Sequence, residues 1–261
     1  MMQYSGGAMG DVKSQAARGW ERQTTRGPGA GTRRARARAT RLRIAEVAAR
    51  LFSEQGYAGT TMGRIAQVAG VAIQTVYFTF HTKAELLIEA MIISGGGPEP
   101  TSEVMARGWI EDAFAAPDGA RRLAIAVDAG VEIYRRVAPL VGALTAAAST
   151  DPDVRAAWNR VVGARRTGMG RLIEIMHERD ELRPNLAIQY ATDILFGLHR
   201  HELFLAFTGE CGWSVETYKA WTYATLCREL LPADAAAAAV EPGSPATAGT
   251  SFTSALETLP L

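Results

Sequence analysis

Apolar residues recur at helical spacing through most of this chain, and that periodicity limits its possible folds more than any other feature. Ile44, Val47, Ala48, Leu51 and Phe52 form an i, i+3, i+4, i+7, i+8 stripe, which is typical of an amphipathic helix. Runs that alternate apolar and polar residues are missing, so the pattern predicts no sheet. Because 48% of the residues are hydrophobic, the helices have enough apolar surface to build a core. We therefore predict an all-α protein.

Composition divides the chain into four parts. Residues 1–38 are rich in Gly, Ser, Thr, Arg and Ala and predict a disordered basic arm, and the Ala/Pro-rich residues 232–261 predict a disordered tail. The Gly and Pro cluster at 95–100 marks a hinge. It separates a small N-terminal domain over 39–95 from a larger C-terminal domain over 101–231. Three long helices are predicted in the second domain, over 153–179, 186–208 and 214–231.

Charge is distributed unevenly, although the whole chain carries a formal net charge of only +1. Residues 1–43 contain ten basic side chains and two acidic ones. A basic segment that leads into a near-neutral or acidic body is typical of an arm drawn to a polyanion. A solvated tail without a partner fits the charge pattern equally well. The basic residues that lead into the first strong helix are Arg33, Arg34, Arg36, Arg38, Arg41 and Arg43.

Several functional classes leave no signature in this sequence. Cys211 and Cys227 are too few for a disulfide scaffold and lack zinc-site spacing, which indicates a reduced, intracellular protein. No apolar run approaches the 18 residues that indicate a membrane span, and no leader is recognisable, so we expect a cytoplasmic protein without a membrane partner. His199 and His201 point to opposite sides of a helix, and no nucleophile elbow or phosphate-binding loop occurs. We expect no cofactor, no metal and no enzymatic activity.

The most informative stretch is TTMGRIAQVAGVAIQTVYFTFHTKAE, from Thr60 to Glu85. Thr61 is a candidate N-cap for a short helix, and Gly70 lies where the chain has to turn sharply. Val71 and Val76 supply the apolar face of a second short helix. Two short helices joined by a tight turn containing glycine predict a helix-turn-helix. Two packed helices joined at a glycine are also common in all-α proteins that bind no DNA.

The outward face of the second short helix favours the DNA-binding interpretation. It offers amide, hydroxyl and aromatic groups in place of a Lys/Glu face, and such groups suit base edges and thymine methyls in the major groove. Thr82 and Glu85 form a capping box at the next helix, and Lys83 lies at that helix N-terminus, where an anion such as a DNA phosphate is favoured. A plain solvated lysine is the alternative for Lys83.

Ile44 to Met91 resembles the DNA-binding domain of the tetracycline-repressor (TetR) family. The matching residues are Leu51-Phe52, Gly56-Tyr57, Thr60-Thr61, Ile65-Ala66, Ala69-Gly70-Val71, Thr75-Val76-Tyr77, Phe80, Lys83 and Leu86-Leu87. The resemblance implies an all-helical homodimer with an N-terminal three-helix helix-turn-helix domain and a C-terminal helical domain for ligand binding and dimerisation. It implies a double-stranded DNA operator and a small-molecule effector as partners.

Specific contacts follow from the same resemblance. Thr61, Tyr77 and Lys83 match positions that bind phosphates. Arg38 and Arg41 would follow the DNA backbone or enter the minor groove. The exposed recognition-helix positions that would read bases are Ile73, Gln74, Thr75, Phe78 and Thr79. This sequence has Ala72 where a serine N-cap is frequent, and Gln74 where a glycine is frequent. Gln74 is our first choice for base readout because an amide can contact adenine through two hydrogen bonds.

The second domain would hold the effector and the dimer interface. By the resemblance, helices 186–208 and 214–231 would pair with their copies in a four-helix bundle. Aromatic, thioether and imidazole groups suit an apolar ligand with few polar contacts. Trp109, Tyr134, Trp158, Met176, His177 and His199 are the candidate ligand-binding residues, and Phe114 and Met169 are further possible pocket residues. Each of them could instead belong to the ordinary core.

The sequence thus favours a transcriptional repressor that a small molecule releases from a palindromic operator. The alternative is an all-α enzyme or partner-binding module in which the N-terminal unit is only structural. A TetR-like activator is also compatible, because operator position decides between activation and repression.

Overall fold

The computed structural model describes residues 29–96, 102–241, 247 and 252–259, and these residues are helical almost throughout, with no strand among them. The predicted all-α class is therefore confirmed. The helices are α1 (Gly29–Gly59), α2 (Met62–Ala69), α3 (Ile73–Phe80), α4 (Lys83–Gly96), α5 (Ser102–Ala115), α6 (Gly119–Thr150), α7 (Pro152–Glu178), α8 (Ile188–Leu198), α9 (His201–Leu205), α10 (Val215–Leu230), α11 (Ala233–Val240) and α12 (Thr253–Leu256). A π-helical turn covers Ala206–Glu210.

The chain divides into two units, Met1–Thr40 and Arg41–Leu261. Within the first unit the structure describes residues 29–40, and α1 already begins at Gly29. The prediction of disorder up to residue 38 is wrong over this stretch. Arg and Ala are among the strongest helix formers, and extending a helix costs much less than nucleating one. The rest of the predicted arm, residues 1–28, lies outside the described residues.

Helices α1 to α4 share a core with the later part of α6 and the start of α7. Phe52, Ile65 and Leu87 are buried in this core together with Leu144 and Val154. From Arg41 onward, the predicted DNA-binding and effector-binding domains are therefore continuous in their packing and lie within one unit. The hinge predicted at 95–100 begins inside α4, which continues to Gly96, and residues 97–100 lie outside the described residues.

A second core is built by the first half of α6, the end of α7, and helices α8, α10, α11 and α12. Arg122 is fully buried at its edge, where it donates hydrogen bonds to the carbonyls of Ala113 and Phe114 and pairs with Glu181 at 2.9 Å. A buried guanidinium is tolerable only when its donors are satisfied, so these partners tie α5, α6 and the end of α7 together.

Of the three long helices that the sequence predicts, two are confirmed and one is wrong. Asp151 caps α7 by accepting from the backbone N–H groups of Asp153 and Val154, and Ser214 caps α10 through Thr217. The predicted helix 186–208, however, is interrupted. α8 ends at Leu198, His199 and Arg200 leave helical geometry, and α9 begins at His201. At this break the side chain of His199 is buried against α6.

Part of the predicted disordered tail, residues 232–261, is also helical. α11 and α12 both pack near α10, and Ala236, Ala239 and Phe252 are buried there. The Phe252 ring lies 5.5 Å from that of Tyr223. Alanine favours helix and an aromatic ring gains much from burial, and these effects outweigh the Pro/Gly/Ser content on which the prediction depended.

None of the helices among the described residues is both long and apolar enough to span a bilayer.

Candidate DNA-binding face and effector cavity

Helices α2 and α3 are joined by the tight turn that the sequence predicts. Gly70 adopts a left-handed conformation (φ 65°, ψ 40°), which glycine reaches without steric cost. The backbone N–H of Val71 donates to Ala66 O at 3.1 Å, which closes the C-terminal end of α2. Ala66 is buried, so its small side chain lies where the two helices approach. The segment has the geometry of a helix-turn-helix.

Thr61 is the N-cap of α2, as predicted. Its hydroxyl oxygen accepts a hydrogen bond from the backbone N–H of Arg64 at 3.1 Å. Thr61 itself is exposed. At the next helix, Thr82 accepts from the backbone N–H of Glu85 at 3.0 Å, which confirms the Thr82 half of the capping box. Ala72, at the start of α3, makes no side-chain cap bond.

The outer side of α3 exposes the side chains that sequence analysis assigns to base readout. Phe78 is 85% exposed, Tyr77 48% and Ile73 39%, and Gln74 is also exposed. Val76 and Phe80 are buried on the other side of the same helix. Ile73, Tyr77 and Phe78 thus give α3 an exposed surface that is largely apolar and aromatic.

Thr75 and Thr79 are only partly exposed. The Thr79 hydroxyl donates to Thr75 O at 2.7 Å. Its proton is thereby engaged within α3, while its oxygen can still accept a hydrogen bond. The two threonines therefore contribute less free polar surface than the sequence suggests.

Lys83 has intramolecular partners. Its ammonium donates to the backbone oxygens of Tyr57 at 2.9 Å and Thr60 at 3.2 Å, and lies 4.1 Å from the centre of the Tyr57 ring. Partial burial lowers the pKa of Lys83. These contacts satisfy carbonyls where α1 ends, so Lys83 has a structural role that sequence analysis missed. The phosphate contact stays a prediction.

Arg41 also has partners within the protein, whereas Arg38 is exposed on α1. The Arg41 guanidinium pairs with Glu89 at 2.9 Å, donates to Thr79 O at 3.2 Å and lies 4.9 Å from the centre of the Phe80 ring. It thus connects the C-terminal end of α3 to α4. We assign Arg41 the role of positioning α3, and its contact with DNA stays a prediction.

Tyr57 connects the end of α1 to the start of α7. Its hydroxyl donates to Asp151 Oδ2 at 2.8 Å. This hydrogen bond lowers the pKa of Asp151, while burial and the same bond raise that of Tyr57. Since Asp151 also caps α7, a single carboxylate joins the helix-turn-helix segment to a helix of the second predicted domain.

A cavity of about 390 Å³ lies among α4, α5, α6, α7 and the end of α8. Trp109, Tyr134, Trp158 and His199 line it, as do Phe114 and Met169. The structure therefore brings four of the six predicted ligand residues together. The other two residues do not line this cavity: Met176 is buried in the second core, and His177 is exposed on α7.

His199 is buried in the wall of the cavity between two partners. Its Nε2 lies 2.8 Å from Ala126 O, and its Nδ1 lies 2.6 Å from the Tyr134 hydroxyl. A carbonyl can only accept, so Nε2 carries the proton and Nδ1 accepts from Tyr134. Burial lowers the pKa of His199 to about 4, and the ring is neutral at pH 7. Gly130 makes room for it, since a Cβ there would overlap the imidazole.

Two polar residues on the cavity wall were missed by sequence analysis. His201 is buried, with its ring near those of Trp158 and Tyr134. Arg165 lies on α7 between Val161 and Met169, at the i, i+4, i+8 spacing that places all three on one face. A charged residue within an apolar helical stripe was the available signal for Arg165.

Comparison with known proteins agrees with this geometry. Residues 44–90 match the family model of bacterial regulatory proteins, tetR family. Over 58 residues, 22% of this chain and 27% of each relative, the chain is 43% identical to the transcriptional regulators AcrR of Shigella flexneri and TtgR of Pseudomonas putida. The match thus spans about a quarter of the length of these curated relatives.

Solved structures resemble the fold over a greater length. NalD of Pseudomonas aeruginosa, the secondary repressor of the MexAB-OprM multidrug efflux pump, is 22% identical with a TM-score of 0.55, covering 76% of this chain and 99% of NalD. FadR of Bacillus subtilis, a transcriptional regulator solved with stearoyl-CoA, is 17% identical with a TM-score of 0.58. The match covers 71% of this chain and 96% of FadR. At these identities the likeness concerns the fold alone. Residues 44–90 thus match the tetR family of bacterial regulatory proteins in sequence, and the same residues contain a helix-turn-helix.

Proposed function

We propose that this protein is a DNA-binding transcriptional repressor that binds a palindromic operator as a homodimer and is released by a small molecule. The observation that carries the proposal is the 85% exposure of Phe78 on α3, beside exposed Gln74 and Tyr77. An aromatic ring can contact thymine methyls, and a glutamine amide can bind adenine through two hydrogen bonds. Because this role is exercised on DNA, we place the protein in the cytoplasm and assign it no catalytic step.

Phosphate contacts would hold α3 in register on the duplex. Tyr77 is exposed next to Phe78, and Thr61 is exposed at the N-terminus of α2, where backbone N–H groups favour an anion. Arg38 is exposed on α1 and adds positive charge. Lys83 retains one ammonium hydrogen beyond the two that bind carbonyls, so it can contribute one further phosphate contact.

A homodimer would present two copies of α3 to half-sites about one helical turn apart. The predicted interface, residues 186–208 and 214–231, needs an adjustment. Much of α10 is buried inside its own chain, by α6, α8 and the C-terminal helices. On α8, by contrast, Tyr190 is 58% exposed. We therefore propose that α8 supplies the larger share of the dimer contact.

Helix α4 offers a physical route from effector to DNA. Near its N-terminus it packs against α3, and Glu89 binds Arg41, which in turn donates to the last turn of α3. Farther along the helix, Met91 and Ile92 line the cavity. A ligand that fits the cavity better when α4 is displaced would favour a state in which the two copies of α3 no longer match the operator.

Selection of bound fragments from random DNA tests this function. We expect a palindromic consensus, bound with a steep dependence on salt concentration. Gln74→Ala should weaken binding by about 1–3 kcal/mol and relax the preference at one base pair per half-site. Asn159→Ala, which removes an exposed amide from α7, is the matched control and should change neither the affinity nor the base preference.

Two results would contradict the function. One is recovery of no consensus from the random pool. The other is equal affinity of the protein and of Tyr77→Ala for selected and random duplexes, which would favour a structural role for the N-terminal helices.

A further inference from the structure

The buried polar groups of His199 and Tyr134 on the cavity wall are already satisfied by the protein. Both nitrogens of His199 are engaged, one with Ala126 O and the other with the Tyr134 hydroxyl, whose proton is thereby engaged. The remaining wall is largely aromatic and aliphatic, with Trp109, Trp158 and Leu172 among its members. A ligand therefore meets an apolar surface with few open hydrogen-bonding positions.

Arg165, on the same wall, differs from these two residues. Its Nε is buried and has no hydrogen-bond partner among the described residues. Within the same part of the chain, no carboxylate lies within 4.0 Å of its guanidinium nitrogens. Its guanidinium carbon lies 5.1 Å from the centre of the Phe196 ring, a contact that supports one face of the group but binds none of its N–H donors.

A buried donor without an acceptor is costly, and Arg165 Nε is such a donor although the residue as a whole is only half-buried. Arg122 provides the contrast within the same chain, since its buried guanidinium has both carbonyl partners and Glu181. At Arg165 the corresponding acceptors are missing among the described residues, and the group lines a cavity rather than solid core. We therefore expect a ligand to supply the hydrogen-bond acceptor for Arg165.

We propose that the effector of this cavity is an apolar carboxylate, whose anionic group pairs with the Arg165 guanidinium while its hydrocarbon part contacts the aromatic wall. This inference rests on the proposed function for its regulatory meaning. Nε–H and an adjacent Nη–H form a planar fork that matches the two oxygens of a carboxylate. The cavity volume of about 390 Å³ suits a molecule of moderate size, and cationic ligands are disfavoured by the charge of Arg165.

The experiment compares acids with neutral analogues of the same shape on the full-length protein. Decanoate is paired with decanol, and naphthoate with naphthyl carbinol, and binding is measured by isothermal titration calorimetry without DNA. At least one acid should bind about tenfold or more tightly than its neutral analogue, the range expected for a charge-assisted hydrogen bond.

Variants locate the effect. Arg165→Gln should abolish the preference for the acid while leaving the neutral analogue within about twofold, and Arg165→Lys should keep part of the preference, because it retains the charge but loses the fork. Arg155→Gln removes an exposed arginine from the same helix and should bind like the unmodified protein. Circular dichroism of every variant checks that the fold is intact.

The outcomes separate the two proposals. Equal binding of acids and neutral analogues, an acid preference that survives in Arg165→Gln, or no binding of any acid at millimolar concentration would overturn the carboxylate assignment. Operator binding would remain intact in each case. Acid binding through Arg165 with no effect on operator affinity would instead leave the assignment standing and contradict release by an effector.

Discussion

At the scale of single residues, the packing of His199 against Gly130 decides the shape of the cavity wall. A side chain at position 130 would occupy the space of the imidazole. Gly130→Ala should therefore displace His199, break both of its hydrogen bonds and destabilise the protein by about 3 kcal/mol in urea unfolding. Gly142 lies on the same helix with open space around it. Gly142→Ala should therefore stabilise the protein by about 0.5–1 kcal/mol. Equal effects of the two substitutions would contradict this packing.

The protonation of His199 gives the protein a pH-dependent stability. Burial lowers its pKa to about 4 in the folded protein, against about 6.5 in the unfolded chain. Between these values only the unfolded chain binds the proton, so the free energy of unfolding should fall as pH decreases from 6.5 to 4, by about 3 kcal/mol. Urea unfolding across that range measures it.

His199→Gln is the control for this dependence, because glutamine does not titrate. The variant should be less stable at pH 7 and should lose less stability on acidification than the unmodified protein. A remaining decline is expected from His201, whose pKa burial also lowers. Parallel pH profiles for the two proteins would show that His199 is not the titrating group.

At the scale of elements, α3 begins without a side-chain cap. Ala72 has the extended backbone of an N-cap (φ −66°, ψ 144°) but offers no acceptor to the free N–H groups of the first turn. Ala72→Ser should supply that acceptor and raise the free energy of unfolding by about 1 kcal/mol. Ala72→Val changes size without adding an acceptor and should give no gain, so equal gains for both would refute capping as the cause.

The C-terminal helices α11 and α12 stabilise α10, although their composition suggests disorder. Phe252 is fully buried and its ring lies 5.5 Å from Tyr223. Phe252→Ala should destabilise the protein by about 3 kcal/mol in urea unfolding, since it removes a large buried ring. Ser254→Ala changes an exposed residue two positions further and should stay within about 0.5 kcal/mol. A negligible effect of Phe252→Ala would contradict a stabilising role for the C-terminal helices.

At the scale of the whole molecule, the separation of charge along the chain should govern DNA affinity. Removal of residues 1–38 deletes most of the basic cluster and should make the dependence of log affinity on log salt shallower, by about one unit for each phosphate that the arm neutralises. Arg171→Gln, an exposed arginine on α7 beside Glu174, should leave the slope unchanged. An unchanged slope after truncation would mean that the arm does not contact DNA.

Much of the helix-turn-helix segment could be predicted because its signals are local. Thr61 caps the residues directly after it, and Gly70 turns the chain between adjacent helices, so neighbours in sequence carry the information. The intramolecular contacts of Arg41 and Lys83 were harder to predict, because their acceptors lie 23 to 48 residues away in the sequence. A basic residue in a DNA-binding motif suggests a phosphate contact, and only folding shows that a carboxylate or carbonyl reaches it first.

The amino-acid order alone determined the helical class, the turn at Gly70 and the exposed face of α3, because helix periodicity and capping depend on residues within about four positions. Tertiary packing decided where the helix predicted over 186–208 breaks, since His199 leaves helical geometry to reach Tyr134 and Ala126, which lie 65 and 73 residues away. It also decided that Arg165 Nε is buried at the wall of a cavity. A buried donor requires an acceptor, and burial is a property of the assembled helices.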